Sequence, residues 1–257
     1  MQGHEVRSLS RRASSHKERV DVLSAASVAT LGGASGVVYC AWDTADRSQP
    51  AQTAHVRASA RWARESAALN VPFILTSTVL AGAGATSSYG QHKTLAEQEV
   101  SAAGGVSLRI GLVVEDAYPF LGTRLRRLGE RMPMAARLLD VPVYAVGAPT
   151  VGRAVVAELA APRGGVVVWL APDLPCSLRD VVQWGAPGAR ALGQEANGGG
   201  LLRLGARLPV RNGLLGRYVD ALQGVLATPE RAVEAVLPAD GPVPADSWQE
   251  SLGAPGA

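Results

Sequence analysis

A doubly wound α/β fold, with parallel strands covered by helices on both faces, is what this sequence predicts, and three observations predict it. Short apolar, β-branched runs alternate with helical patterns from residue 5 to residue 170, the order that puts crossover helices between parallel strands. The strand runs are nearly continuous in apolar residues, as strands buried on both faces are. At 257 residues, with 47% apolar and 18% charged, the chain is long enough for one such domain with a smaller lobe appended.

The strands are expected at 5–9, 19–23, 36–42, 71–77, 107–114 and 165–170. Helices are expected at 25–31, 51–69, 88–103, 121–139, 151–160 and 177–184. In the last of these, Ser177 and Asp180 have the spacing of a capping box. Beyond Trp184 the pattern loosens into a turn at 197–200 and an amphipathic helix at 213–226. Residues 237–257, rich in Pro, Gly and Ala, predict a poorly ordered tail. No internal repeat and no linker cuts the chain into independent domains.

Composition excludes several classes of function. A formal net charge of +3 with arginines scattered along the chain argues against a nucleic-acid partner. Cys40 and Cys176 lie far apart in no metal-ligand spacing, so no metal centre is expected, and Cys40, inside an apolar run, predicts a buried thiol. The first twelve residues contain no apolar h-region, so no secretory signal is expected. The longest apolar stretch, 71–85, is broken by Thr76, Ser77 and Thr78 and is too short to span a bilayer. A cytoplasmic protein acting on a small molecule is the expectation.

One motif carries chemistry. Tyr89-Gly90-Gln91-His92-Lys93 is a Tyr-x-x-x-Lys, and four residues along a helix put both side chains on one face. Lysine otherwise occurs only at Lys17, and with five tyrosines a chance pair at this spacing is expected about 0.04 times per chain. A nearby ammonium stabilises phenolate, which lowers the tyrosine pKa and lets the residue act as acid or base near neutral pH. A surface tyrosine stacked on a lysine stem has the same spacing. The surroundings favour the chemical reading, because 73–78, Phe-Ile-Leu-Thr-Ser-Thr, reads as a strand ending in hydroxyls.

These residues together resemble the extended short-chain dehydrogenase/reductases, the NAD-dependent epimerase/dehydratase branch. In that family the fifth strand ends in a serine-rich segment, Tyr-x-x-x-Lys opens the next helix, and a glutamate follows, here Glu97 or Glu99. The resemblance implies that Ser77 holds the substrate oxygen, with Thr76 or Thr78 as the alternatives. It implies that Tyr89 is the acid/base, and that Lys93 binds the nicotinamide ribose and tunes Tyr89. Residues 37–42 resemble the fourth strand, whose alanine-containing end lies against the cofactor, implicating Ala41 and Trp42. Asp21-Val22 resembles the Asp-Leu pair that holds the adenine, and 108–114 the sixth strand with its Leu-Arg start. Residues 3–12 resemble the second strand and its turn. Ser10-Arg11-Arg12 stands there in place of an acidic residue, so Arg11 and Arg12 suit a 2′-phosphate and imply NADP, with NAD the alternative. Homodimers through paired helices are common in the family.

The resemblance assigns 1–170 to an NAD(P)-binding Rossmann-like domain, and 171–236, with parts of 115–150, to a small substrate lobe. The implied activity is that of an NAD(P)-dependent epimerase, dehydratase or reductase acting on a carbonyl or secondary alcohol. The alternatives are a non-catalytic dinucleotide- or protein-binding module, and a cofactor-free isomerase or cyclase. The family's first strand and its Gly-x-x-Gly-x-x-Gly loop have no counterpart in the sequence. A start assigned too late is the preferred account, and a descendant that has lost the cofactor is the other. Since the first strand is central in the usual order, its loss is expected to expose two inner sheet edges. Ala81, Glu115 and the segment 145–152 depart from the family pattern in ways that bear on substrate rather than chemistry.

Overall fold

The computed structural model describes residues 5–10, 18–43, 46, 48–114, 142–171 and 175–184. The expected helices at 121–139 and 213–226, the tail at 237–257, nearly all of the substrate lobe, Arg11, Arg12 and Glu115 lie outside the described residues.

Strands β1 (Leu9–Ser10) and β2 (Glu18–Arg19) pair in parallel as a two-stranded sheet. A 3-10 helix, Ala25–Leu31, leads into β3 (Val37–Tyr39). Next come helix α1 (Gln49–Ala68), strand β4 (Phe73–Thr78), helix α2 (Ser88–Ala102) and strand β5 (Val106–Ile110). Short strands β6 (Leu112–Val114), β7 (Pro142–Val143) and β8 (Ala145–Gly147) precede helix α3 (Ala148–Ala160). Strand β9 (Val167–Leu170), strand β10 (Cys176–Ser177) and helix α4 (Leu178–Trp184) complete the described part. The main sheet is fully parallel in the order β3–β4–β5–β9. Strands β6 and β8 pair in parallel, and β10 pairs antiparallel with β7.

Alternation along β4 divides the core in two. Phe73 and Leu75 pack with Val37, Tyr39, Trp62, Ala96 and Val100 beneath α1 and α2. Ile74 turns the other way, to Val106, Leu108 and Val168 beneath Val155 and Leu159 of α3. Helices thus cover both faces of the sheet, as a doubly wound fold requires.

Local sequence sets the helix starts. The Ser48 side chain accepts the Ala51 N–H, with Pro50 in the first turn of α1, and the Ser87 hydroxyl accepts the Gly90 N–H to start α2. These are the cap residues that satisfy orphan backbone donors. The capping box at α4 forms as expected: Asp180 N donates to Ser177 Oγ at 3.1 Å, and Ser177 N donates to Asp180 Oδ2 at 2.9 Å.

Two expectations are corrected and a third is refined. The run at 107–114 is two strands rather than one, split at Gly111. A side chain there would place its Cβ 1.8 Å from the Tyr144 carbonyl oxygen, so the chain crosses 144 at close quarters and Leu112 N donates to that oxygen. The second half then pairs with β8, an element that the sequence pattern did not reveal. Secondly, the helix expected at 25–31 forms with those bounds, in 3-10 geometry. Thirdly, Cys40 is exposed. Val37 and Tyr39 alternate into the α1/α2 core, whereas Val38 between them is 39% exposed at this edge of the sheet. Sheets β1–β2 and β3–β4–β5–β9 are separate among the described residues, with β3 at an edge.

Candidate functional site

The C-terminal end of β4 and the first turns of α2 bring the sequence-predicted groups together. Gly90 allows this approach, because a Cβ on it would fall 2.3 Å from the Leu80 carbonyl oxygen. Tyr89, Lys93 and Glu97 succeed one another at four-residue spacing along one face of α2, and each meets a different partner. Lys93, 3% exposed, donates from Nζ to the Thr76 carbonyl oxygen at 2.8 Å. Its ammonium also lies 4.1 Å from the centroid of the Trp42 ring and 5.9 Å from that of Tyr89. Tyr89 meets Trp42 edge-on, with centroids 6.2 Å apart. Thus Trp42, placed in the site by resemblance, touches both Tyr89 and Lys93.

Burial shifts both titrations. Loss of hydration lowers Lys93 from 10.5 to about 8, with the charges of Cys40 and Glu97 acting the other way. Desolvation raises Tyr89 to about 12. This reverses the sequence expectation of a lowered tyrosine. The ammonium stands over aromatic faces and is bonded to a carbonyl, so burial dominates the phenol.

The three hydroxyls of β4 have different commitments. Ser77 donates to Glu97 Oε1 at 2.5 Å, and Thr76 donates to the Tyr39 carbonyl at 3.2 Å. Thr78 Oγ1 accepts the Leu80 N–H at 3.3 Å, and its proton has no acceptor among the described residues. Glu97 is the inward glutamate of the two that the sequence offered. It receives Arg109 through Nε at 3.0 Å and Nη2 at 2.7 Å, whereas Glu99 is exposed and pairs with Arg64. Arg109 in turn packs against Gly82, whose φ of +134° suits glycine alone. Ser77 therefore belongs to a buried Ser–Glu–Arg network joining β4, α2 and β5.

Asp21 is exposed, and its Oδ1 accepts the Leu23 N–H. Val22 is turned into the core, with its carbonyl accepting Trp62 Nε1 and Arg61 Nη2. Ala41 packs against the core cluster beside Trp42. Sequence reasoning missed Gln52 and His55. Gln52 Oε1 accepts Trp42 Nε1 at 2.7 Å, and His55 stacks on the Trp42 ring with centroids 5.3 Å apart. Their signal was present: two polar residues inside the buried stripe 52, 55, 59, 62, 66 of an alanine-rich helix.

A nicotinamide dinucleotide is the group that the resemblance implies. A phenol and an ammonium side by side at the strand ends fit a ligand rich in hydroxyl oxygens, on condition that the indole leaves Lys93. No helix among the described residues is long and apolar enough to cross a membrane.

No family model and no curated protein matches the sequence. Solved structures do resemble it. A hypothetical dTDP-4-dehydrorhamnose reductase from Sulfolobus tokodaii aligns with a TM-score of 0.57 at 12% identity, over 72% of this chain and 73% of that one. Pen from Bacillus thuringiensis aligns at 0.54 and 15% identity, over 68% of this chain. UDP-N-acetylglucosamine 4-epimerase from Bacillus cereus aligns at 0.51 and 13% identity, over 68% and 72% of the two chains. The alignment spans only 58% of the length of Pen. The likeness shows the fold, a Rossmann-like α/β architecture shared with these proteins.

Proposed function

We propose that the chain carries the catalytic pair of an NAD(P)-dependent epimerase, dehydratase or reductase acting on a carbonyl or secondary alcohol. The observation that carries this reading is the Tyr89–Lys93 pair, set on the first turns of α2 against the end of β4. Such a dinucleotide, when bound, supplies or accepts a hydride. The chain's own residues manage the proton. With its pKa pushed up to about 12, Tyr89 is a protonated phenol at neutral pH, poised to donate to a carbonyl oxygen. Thr78, whose proton has no acceptor among the described residues, is the hydroxyl we assign to steady that oxygen. Ser77 is instead assigned to hold Glu97. Lys93, mostly protonated below pH 8, supplies positive charge beside the reacting oxygen.

Calorimetric titration with NADP⁺ and NAD⁺ tests the reading. Binding of either that is lost in Lys93→Met supports it, with NADP⁺ expected to bind more tightly, and the absence of heat with both overturns it. A second reading, a binding module without chemistry, draws support from the indole lying over Lys93. It predicts dinucleotide binding that Lys93→Met leaves intact.

A further inference from the structure

The indole of Trp42 covers the ammonium that any ligand of this site must reach. We propose that Trp42 is a displaceable cap on Lys93, latched shut by Gln52, and that ligand enters only when the ring swings aside. The proposal rests on the preceding reading, in which Lys93 and Tyr89 are the groups that meet the ligand.

The geometry separates a movable ring from a fixed backbone. Beyond the ring, Asp43 N donates to His55 Nε2 at 3.1 Å. Gln52 Nε2 donates to the carbonyls of Asp43 and Asp46 at 3.0 and 2.6 Å. The chain on the C-terminal side of Trp42 is therefore tied to α1 through bonds that do not involve the indole. The ring itself is held by one hydrogen bond to Gln52 Oε1, by stacking on His55, by the cation–π contact with Lys93, by the edge-on contact with Tyr89 and by packing against the core cluster. Each of these is a modest interaction. Rotation about the side-chain bonds of Trp42 breaks these contacts without moving the backbone of residues 42–46. Lys93 stays anchored meanwhile by the Thr76 carbonyl, and the same movement uncovers the edge of Tyr89. Affinity for a ligand is then lowered by the fraction of molecules whose cap is open.

Acetylation of the full chain by acetic anhydride at one fixed pH, followed by peptide mapping, reads the cap directly. The rate at Lys93 is normalised to its rate in unfolding urea, for wild type, Trp42→Ala and Trp42→Phe. Lys93 is expected to be strongly protected in wild type and to react at least ten-fold faster in Trp42→Ala. Trp42→Phe keeps a ring but loses the latch, so its rate is expected between the two. A folded Trp42→Ala protein with wild-type protection of Lys93 overturns the proposal. If that variant shows no cooperative melt, Trp42→Phe decides, and wild-type protection there overturns the proposal equally. NADP⁺ titration of the same variants reads the function separately. Ten-fold tighter binding by Trp42→Ala supports the cap. Absence of binding by every variant overturns the cofactor reading, and the acetylation result still decides the cap.

Discussion

An ammonium buried beside an indole loses more hydration than the ring returns, which is why Lys93 titrates at about 8 rather than 10.5. Between those values the folded protein holds fewer protons than the unfolded chain, so stability rises with pH across that window. Tyr89 acts in the opposite sense. Its folded value of about 12 lies above the unfolded 10.0, so the folded state keeps a proton that the unfolded state releases, and stability falls above pH 10. Urea midpoints are therefore expected to climb from pH 8 towards 10 and then decline, and Lys93→Met is expected to abolish the climb alone. The hydroxyls of β4 give a second contrast. Ser77→Ala removes a buried bond to Glu97 and is expected to cost about 1–3 kcal/mol in urea unfolding, with ligand affinity unchanged. Thr78→Val is expected to weaken turnover or ligand binding more than ten-fold while the melt stays near wild type. If Ser77→Ala alone impaired turnover, the two roles would have to be exchanged. The Tyr-x-x-x-Lys and the run of hydroxyls could be read from the sequence because each is local. Which hydroxyl faces which partner could not, since that depends on the register of β4 against α2.

At the scale of elements, α2 is held to the sheet by polar as well as apolar contacts. Ala96 and Val100 sit in the core cluster, and Glu97 between them binds Ser77 and Arg109 in a nearly water-free position. Breaking a buried ion pair by removing one partner strands the other charge. Glu97→Gln is expected to lower stability by about 3 kcal/mol in urea unfolding, whereas Glu99→Gln, whose Arg64 partner is exposed, is expected to change it by less than about 1 kcal/mol. Equal losses in the two variants would mean that the Glu97–Arg109 pair does not clamp α2. The sequence offered both glutamates without choosing between them. The choice follows from helix phase: Glu97 continues the 89, 93, 97 face, and Glu99 is turned outward from it.

Across the whole molecule, protection should follow the layering. Strands β4 and β5 are covered by α1 and α2 on one face and by α3 on the other, and they carry the most buried side chains, among them Ile74, Leu75 and Leu108. Strands β1 and β2 share a two-residue ladder. Native-state hydrogen exchange is expected to be slowest at the amides of Leu75 and Leu108 and at least a hundred-fold faster at Ser10 and Arg19. Uniform protection would show that the two sheets unfold as one unit. The order of strands and helices from 37 to 110, the cap at Ser177, and the pairing of Tyr89 with Lys93 were determined by the sequence alone. Helical and strand periods, cap chemistry and four-residue spacing are all properties of contiguous residues. Tertiary structure alone decided the break at Gly111, the exposure of Cys40, the capture of Ser77 by Glu97 and the placing of Trp42 over Lys93. The break at Gly111, the Ser77–Glu97 bond and the Trp42–Lys93 contact each depend on a partner 20 to 51 residues away in the chain, and only packing brings such partners within reach.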